Sequence, residues 1–270
     1  MERAATEVPL IMRSHLLSAD EPPAVLASRR DGRSAFVIAV DHASRRIPKR
    51  LVTLGLGESD LERHIAWDIG ALAVAQGVSA ALDAPLVAQN YSRLVIDCNR
   101  RPGEPTSIPT ISESTPIPEN LNLPAEQVSA RRREIFEPYH QHLSALLEER
   151  AAAHRHTILI VQHSMTDVFK GVRREMHAAV LYNHDRRFAG CLLEALRSEA
   201  GLIVGDNEPY SGKQEIGYTL PHHGERRGIP HVEVEIRQDL IQLPSGQAEW
   251  SRRMTAALLA AEQAFLREFP

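Results

Sequence analysis

The sequence has little of what defines several protein classes. Only two cysteines, Cys98 and Cys191, occur among 270 residues, so a disulfide scaffold is not expected and a reducing cytoplasm fits best. Aromatic residues make up 5% of the chain and the net charge is −4, which predicts no nucleic-acid partner. The chain also lacks an apolar stretch of about 18 residues and a basic segment followed by an apolar run. We therefore expect a soluble intracellular protein without a signal peptide or a membrane partner.

The order of elements in the sequence predicts the fold class. Runs typical of strands alternate with longer amphipathic stretches typical of helices, which favours an α/β fold with a mostly parallel or mixed central sheet and helices on both faces. We expect one domain over residues 1–270, with residues 1–33 as an irregular arm. The predicted strands are residues 36–40, 85–89, 93–97, 157–161, 178–182, 202–204 and 230–237. The predicted helices are residues 59–82, 125–153, 186–200 and 246–266.

One segment between these elements is rich in proline. Residues 102–124 contain six prolines, and proline lacks a backbone donor and fixes its own φ angle, so a regular element is not expected there. The segment is too long for a simple connection. We predict a loop or lid over a site.

Two predicted strands end in a histidine, His42 and His163. Ligands in open α/β sheets bind outside the carboxyl ends of strands, and neutral imidazole is a common zinc ligand. A catalytic zinc needs a third protein ligand, for which we prefer Asp68. His64, four residues earlier on the same predicted helix face, is the competitor. The sequence thus predicts a Zn²⁺ site, although cobalt, nickel or manganese also suit mixed ligands.

The last predicted strand alternates strictly, with Glu233, Glu235 and Arg237 on one face. A half-buried strand with a solvated charged face explains this pattern without any function. Alternatively, one carboxylate near a zinc-bound water acts as the general base. For that role we prefer Glu235 to Glu233.

Charged residues surround the apolar residues 94–96. Arg93 precedes them and Arg100 follows, so two guanidinium groups can converge on a small anion. The alternative is that Asp97 neutralises the arginines in a surface ion pair.

Together these motifs resemble the N-formylglutamate amidohydrolase family and, more distantly, zinc carboxypeptidases and aspartoacylases. The resemblance covers about residues 35–242, and its specificity lies in the combination and order of the motifs. The matching segments are Asp41-His42-Ala43-Ser44 with Ile47-Pro48, Trp67-Asp68-Ile69-Gly70, residues 91–100 with Asp97-x-Asn99-Arg100, His163-Ser164-Met165, residues 207–212 and residues 234–240.

The resemblance implies a phosphorylase/hydrolase-like α/β fold and zinc-assisted hydrolysis of a small N-acyl amino acid, most simply N-formyl-L-glutamate. It implies that His42 and His163 bind the metal and that Arg93 stabilises the oxyanion. Asn99 and Arg100 would hold the α-carboxylate. Further substrate contacts are predicted at Ser44, Tyr210, Arg237 and Arg101.

The sequence departs from the relatives at one position. Carboxypeptidases and aspartoacylases place a metal-binding glutamate three residues after the first histidine, where this chain has Arg45. Asp68 is therefore an inference from this chain alone. Two alternatives stay open, namely a hydrolase of another N-acyl amino acid or small peptide, and a non-catalytic anion-binding protein. The oligomeric state leaves no mark in the sequence.

Overall fold

The computed structural model describes residues 15–209 and 217–270. Part of the predicted N-terminal arm therefore lies outside the described residues. The part that is described is not wholly irregular, because Val25–Ser28 pairs with Leu86–Gln89 as an edge strand of the main sheet.

The elements follow the predicted alternation. The strands are β1 Val25–Ser28, β2 Phe36–Val40, β3 Leu86–Gln89, β4 Ile111–Ser112, β5 Thr115–Pro116, β6 Ile158–Met165, β7 Val168–Phe169, β8 Val172–Arg173, β9 Ala178–Leu181, β10 Val204–Asp206 and β11 His231–Arg237. The α-helices are α1 Glu58–Leu61, α2 Ala71–Leu82, α3 Ala125–Arg131, α4 Glu137–Ala152, α5 Arg187–Arg197 and α6 Pro244–Glu268. Short 3₁₀ or π turns occupy Lys49–Leu51, Pro118–Asn120, Arg132–Phe136, Leu220–Gly224, Glu225–Arg227 and Gln238–Leu240.

The main sheet has the order β1-β3-β2-β6-β11-β9-β10. Its four central strands, β3, β2, β6 and β11, run parallel. The outer strands β1 and β9 are antiparallel to their inner neighbours, and β10 runs with β9. The predicted mixed, largely parallel sheet is confirmed, and the carboxyl ends of the central strands meet at one edge.

Helices cover both faces of the sheet, as predicted. Along β2, Phe36, Ile38 and Val40 belong to one hydrophobic core, and Val37 and Ala39 belong to the other. Helices α2, α5 and α6 pack against the first core, whereas α4 packs against the second. A strand that is buried on both faces has a continuous apolar sequence, and β2 could be predicted for that reason.

The predicted strand at residues 93–97 is wrong. Leu94, Val95 and Ile96 are buried, but Leu94 and Val95 lie in a turn and Ile96 follows it in irregular backbone. Side chains satisfy their carbonyl groups, since Arg131 NH1 donates to the Val95 oxygen at 3.0 Å and Asn120 Nδ2 donates to the Leu94 oxygen at 2.8 Å. The apolar run at residues 94–96 therefore indicates that these residues are buried, and it does not indicate a strand.

The single helix predicted over residues 59–82 is also wrong, because α1 and α2 are separated by turns. Gly70 adopts a φ of +78° at the start of α2, and a Cβ there would lie 2.2 Å from the Ile241 carbonyl oxygen. Only glycine fits that close approach. His64 and Asp68 therefore do not share a helix face.

Over the described ranges, no helix combines the length and the apolar character needed to cross a membrane. The cytoplasmic location stays a prediction.

Candidate functional site

A cavity of about 640 Å³ lies at the carboxyl ends of β2 and β6. Most of the residues predicted to be functional meet there. It is lined by His42, His64, Asp68, Arg93, Asn99, Arg100, Glu104, Thr106, His163, Ser164, Met165, Thr166, Phe169, Pro209, Gly217, Glu233 and Glu235.

The base of this cavity contains a group of three buried residues that could hold a metal ion, His42, Asp68 and His163. Both imidazoles turn their Nδ1 atoms towards the same oxygen, Asp68 Oδ2, at 3.3 Å from His42 and 2.7 Å from His163. The three candidate ligand atoms lie within 4.8 Å of one another. Two imidazoles and one carboxylate are a donor set typical of a catalytic zinc site with an open position.

A second layer of carboxylates faces the other side of each ring. His42 Nε2 lies 2.7 Å from Asp97 Oδ1, and His163 Nε2 lies 3.1 Å from Asp41 Oδ2. Such outer carboxylates orient metal-binding histidines and fix their tautomers. Asp41 was not predicted, although its place beside His42 at the end of β2 was a usable signal.

Burial and neighbouring charges have opposite effects on the pKa values of this group of residues. Burial lowers the pKa of His163, but Glu233, Asp41 and Asp68 outweigh it and raise the pKa well above its usual value. Burial raises the pKa of Asp68, yet the two histidines bring it far below its usual value. The carboxylates therefore make this position strongly favourable for positive charge.

Arg93 connects the two layers on one wall. Its Nε and NH2 donate to Asp97 Oδ2 at 3.2 and 2.8 Å, and its NH1 lies 3.5 Å from Asp68 Oδ1. Asp97 is only 3% exposed. The predicted pairing of Asp97 with arginine thus exists, but it is buried and also includes His42.

Glu233 and Glu235 are both buried, so β11 has no solvated charged face as the non-functional interpretation required. Glu235 pairs in register with His163 on the neighbouring strand. Its Oε2 accepts no hydrogen bond from the described residues, and burial, with the nearby Asp68 and Glu233, raises its pKa to about 8. Glu233 Oε2 instead accepts a hydrogen bond from Asn99 Nδ2 at 3.3 Å.

The Asn99 side chain lines the cavity and is hydrogen-bonded through both its nitrogen and its oxygen. Its Oδ1 accepts the backbone N–H groups of Tyr218 and Thr219 at 2.8 and 3.0 Å. Arg100 lines the same wall, and its NH1 donates to the Asn99 carbonyl oxygen at 3.2 Å. Of these two residues, Arg100 is the better placed to bind an anion.

His64 also lines the cavity, but it is not one of the three candidate ligands. Its Nε2 lies 3.4 Å from Glu113 Oε1. Glu113 sits in the turn of the hairpin formed by β4 and β5, so the proline-rich segment contains a short regular element, contrary to the prediction. Glu104 and Thr106 of that segment do line the cavity, as expected for a wall.

The remaining predicted contacts lie elsewhere. Ser44 Oγ accepts the Arg46 backbone N–H, and Arg237 forms an ion pair with Asp239 at 2.8 Å beside three backbone carbonyls. Neither residue lines the cavity. Arg101 faces Glu104 at 3.7 Å. Tyr210 lies outside the described residues.

Comparison with known proteins adds independent information. The family model described as N-formylglutamate amidohydrolase matches residues 34–242. A gene product of Agrobacterium tumefaciens has a similar structure, with a TM-score of 0.90, 34% sequence identity, and coverage of 93% of this chain and 100% of that chain. An N-formylglutamate amidohydrolase from Ralstonia eutropha shares the fold, with a TM-score of 0.66, 18% identity, and coverage of 92% and 100%. No curated protein matches the sequence significantly.

Proposed function

The chain belongs to the N-formylglutamate amidohydrolase family, and on that premise we propose that it is a metal-dependent hydrolase of N-formyl or N-acyl amino acids. Its preferred substrate is N-formyl-L-glutamate, which yields formate and L-glutamate. The observation that carries the proposal is the convergence of His42 Nδ1, His163 Nδ1 and Asp68 on one point of the cavity that Glu235 also lines.

His42, Asp68 and His163 are the proposed ligands of a Zn²⁺ ion. The departure at Arg45 does not count against them, because Arg45 pairs with Glu62 at 3.2 Å and Asp68 supplies the carboxylate. When bound, a divalent cation polarises the scissile carbonyl and lowers the pKa of a water molecule. Cobalt, nickel and manganese suit the same donor set.

Glu235 is the proposed general base. Burial raises its pKa to about 8, and a cation in the cavity favours its ionised form. It then takes a proton from the attacking water and passes it to the leaving amine nitrogen, which accounts for both proton transfers with one carboxylate. Glu233 is less suited to this role, because it is bonded to Asn99.

Two arginines orient the substrate in this proposal. Arg93 is held by Asp97 and Asp68 beside the ligand group, where a guanidinium stabilises the oxyanion that develops on the carbonyl. Arg100 binds the α-carboxylate and so would place the amide beside His42, Asp68 and His163. Asn99 supports Arg100 through its carbonyl oxygen.

Hydrolysis of an amide with a larger acyl group is a second candidate. Met165 and Phe169 give one part of the cavity an apolar wall, which suits an acyl group larger than formyl.

Formate release from N-formyl-L-glutamate by zinc-loaded protein tests the proposal, with chelator-treated protein as the paired control. We expect release that depends on the metal and returns when zinc is restored. Protein that holds one zinc and releases only longer carboxylic acids would favour the second candidate. Release that is equally fast after complete removal of metal would contradict the proposal.

A further inference from the structure

We propose that Asp41 and Thr219 are positioning residues of the metal centre. In this inference Asp41 sets the orientation and tautomer of the His163 ring, and Thr219 holds Asp41 and connects it to the cavity wall. The inference rests on the proposed function, because it assigns roles around the metal site that His42, Asp68 and His163 would form.

Asp41 is held from two sides. Its Oδ1 accepts hydrogen bonds from Thr219 Oγ1 at 2.7 Å and from the Tyr139 hydroxyl at 2.8 Å. Its Oδ2 lies 3.1 Å from His163 Nε2. Asp41 is 1% exposed, so water does not replace a lost bond, and an unsatisfied buried carboxylate is costly. The two hydroxyl groups therefore keep the second oxygen directed at His163.

This arrangement also selects the state of the imidazole. An ionised carboxylate accepts hydrogen bonds and donates none, so His163 Nε2 must carry a proton to bind Asp41. In the neutral ring Nδ1 is then left with its lone pair, and Nδ1 is the atom that faces Asp68. That tautomer is the one a metal ligand needs.

Thr219 connects this pair to the wall of the cavity. Its backbone N–H donates to Asn99 Oδ1 at 3.0 Å, next to the bond from Tyr218. Gly217, which lines the cavity, has a φ of +63°, and a Cβ there would lie 2.2 Å from Asn99 Oδ1. Asn99 thus holds the backbone of Tyr218 and Thr219, and Asp41 holds the side chain of Thr219.

The two outer carboxylates are held differently, which makes the test specific. Asp97 is fixed by the charged Arg93. Asp41 is fixed by two uncharged hydroxyl groups. A change of Thr219 to valine keeps the shape and removes one donor without altering the charge of the site. A change to serine keeps the hydroxyl and is the matched control.

Zinc affinity, measured by competition with a chromophoric chelator, tests the inference on the full-length protein. We expect Asp41→Asn to weaken zinc binding by about 10–100-fold, as for other outer ligands of metal-binding histidines. We expect Thr219→Val to weaken it by about threefold to tenfold, the equivalent of one hydrogen bond. Thr219→Ser should bind like the wild type. The visible absorption of the cobalt-loaded protein should shift in Thr219→Val but not in Thr219→Ser.

Wild-type affinity in both Asp41→Asn and Thr219→Val would overturn the inference while the proposed function stands. A wild-type protein that binds neither zinc nor cobalt, nickel or manganese would instead overturn the proposed function, and the inference with it. The melting temperature of each metal-free variant separates folding from positioning. If Thr219→Val does not fold, Tyr139→Phe removes the other donor to the same oxygen, and wild-type zinc affinity in both Tyr139→Phe and Asp41→Asn would overturn the inference.

Discussion

Two pairs of buried histidines lie in this protein, and they have opposite surroundings. In the pair at the candidate metal site, His42 and His163 lie with ring centres 4.9 Å apart, and their nitrogens face buried carboxylates. In the second pair, His140 and His223 stack at 5.2 Å and hydrogen-bond to each other at 2.9 Å. The remaining bond of the second pair runs from His140 Nε2 to the Cys98 carbonyl oxygen.

The carboxylates decide what each pair can do. They raise the pKa of His42 and His163 in spite of burial. Around His140 and His223, burial outweighs the charge of Asp41 and lowers the pKa of His140 to about 4 and that of His223 to about 2. The two pairs are similarly buried, yet the surroundings of His42 and His163 favour a positive charge, whereas His140 and His223 stay uncharged and pack against each other.

The largest expected effect comes from making the same change in both pairs. His163→Ala should abolish tight zinc binding and formate release, because it removes one of three ligands. His223→Ala should keep one zinc at wild-type affinity and lose only stability. Zinc content by metal analysis and formate release give the two readouts. Retained zinc and normal turnover in His163→Ala would remove the assignment of the metal site.

A smaller effect on kcat should distinguish the two carboxylates of β11, Glu235 and Glu233. Glu235→Gln should lower kcat by about 10²–10⁴-fold with zinc retained, as expected for loss of a general base. Glu233→Gln should lower kcat less, because Glu233 is bonded to Asn99. Steady-state kinetics on zinc-loaded variants measure both. If Glu233→Gln proved the more damaging change, the base would have to be reassigned.

Much of this fold was predictable from local pattern. The runs that became β2, β3, β6 and β9 are apolar because both faces of those strands are buried. The strand ends then placed His42 and His163 at one edge of the sheet. Residues 94–96 have the same apolar pattern but do not form a strand, and side chains from distant segments satisfy the carbonyl groups of Leu94 and Val95.

The candidate site was less predictable than the fold. Sequence spacing cannot show that Asp41 reaches His163, which is 122 residues away. Nor can it show that Arg237 would be bound by Asp239 and carbonyl oxygens instead of lining the cavity. Spacing could not separate Asp68 from His64 either, because the helix face that the two residues were predicted to share does not form. Long-range contacts, and not residue type, determine which of several similar side chains enters the site.

The second histidine pair predicts a pH dependence of stability. In the folded chain the pKa of His140 is about 4, below the value of about 6.5 expected when unfolded. The unfolded state therefore binds the proton more readily, so this stabilisation is complete above about pH 6.5 and is lost as the pH falls towards 4. The loss amounts to roughly 3 kcal/mol of unfolding free energy.

Urea unfolding of the metal-free protein at about pH 7.5 and about pH 4.5 measures this loss. His140→Gln should show a smaller difference between the two conditions than the wild type. The exposed His184 provides the control, as His184→Gln should keep the full difference. His163, whose pKa is raised, has the opposite sign, because its contribution is present at low pH and is lost as the pH rises through its folded pKa. An unchanged difference in His140→Gln would contradict this account of the second pair.

The smallest expected effect comes from comparing substitutions of two arginines, one that lines the cavity and one that does not. Arg100 lines the cavity, whereas Arg237 is bound to Asp239 and to backbone carbonyls. Arg100→Gln should raise the KM for N-formyl-L-glutamate by about 10–100-fold, the equivalent of one hydrogen bond to a charged group, with zinc affinity unchanged. Arg237→Gln should leave KM unchanged and lower the unfolding free energy, since its partly buried ion pair with Asp239 is broken. A KM that rises equally in both variants would mean that stability, and not contact with the substrate, controls the measured affinity.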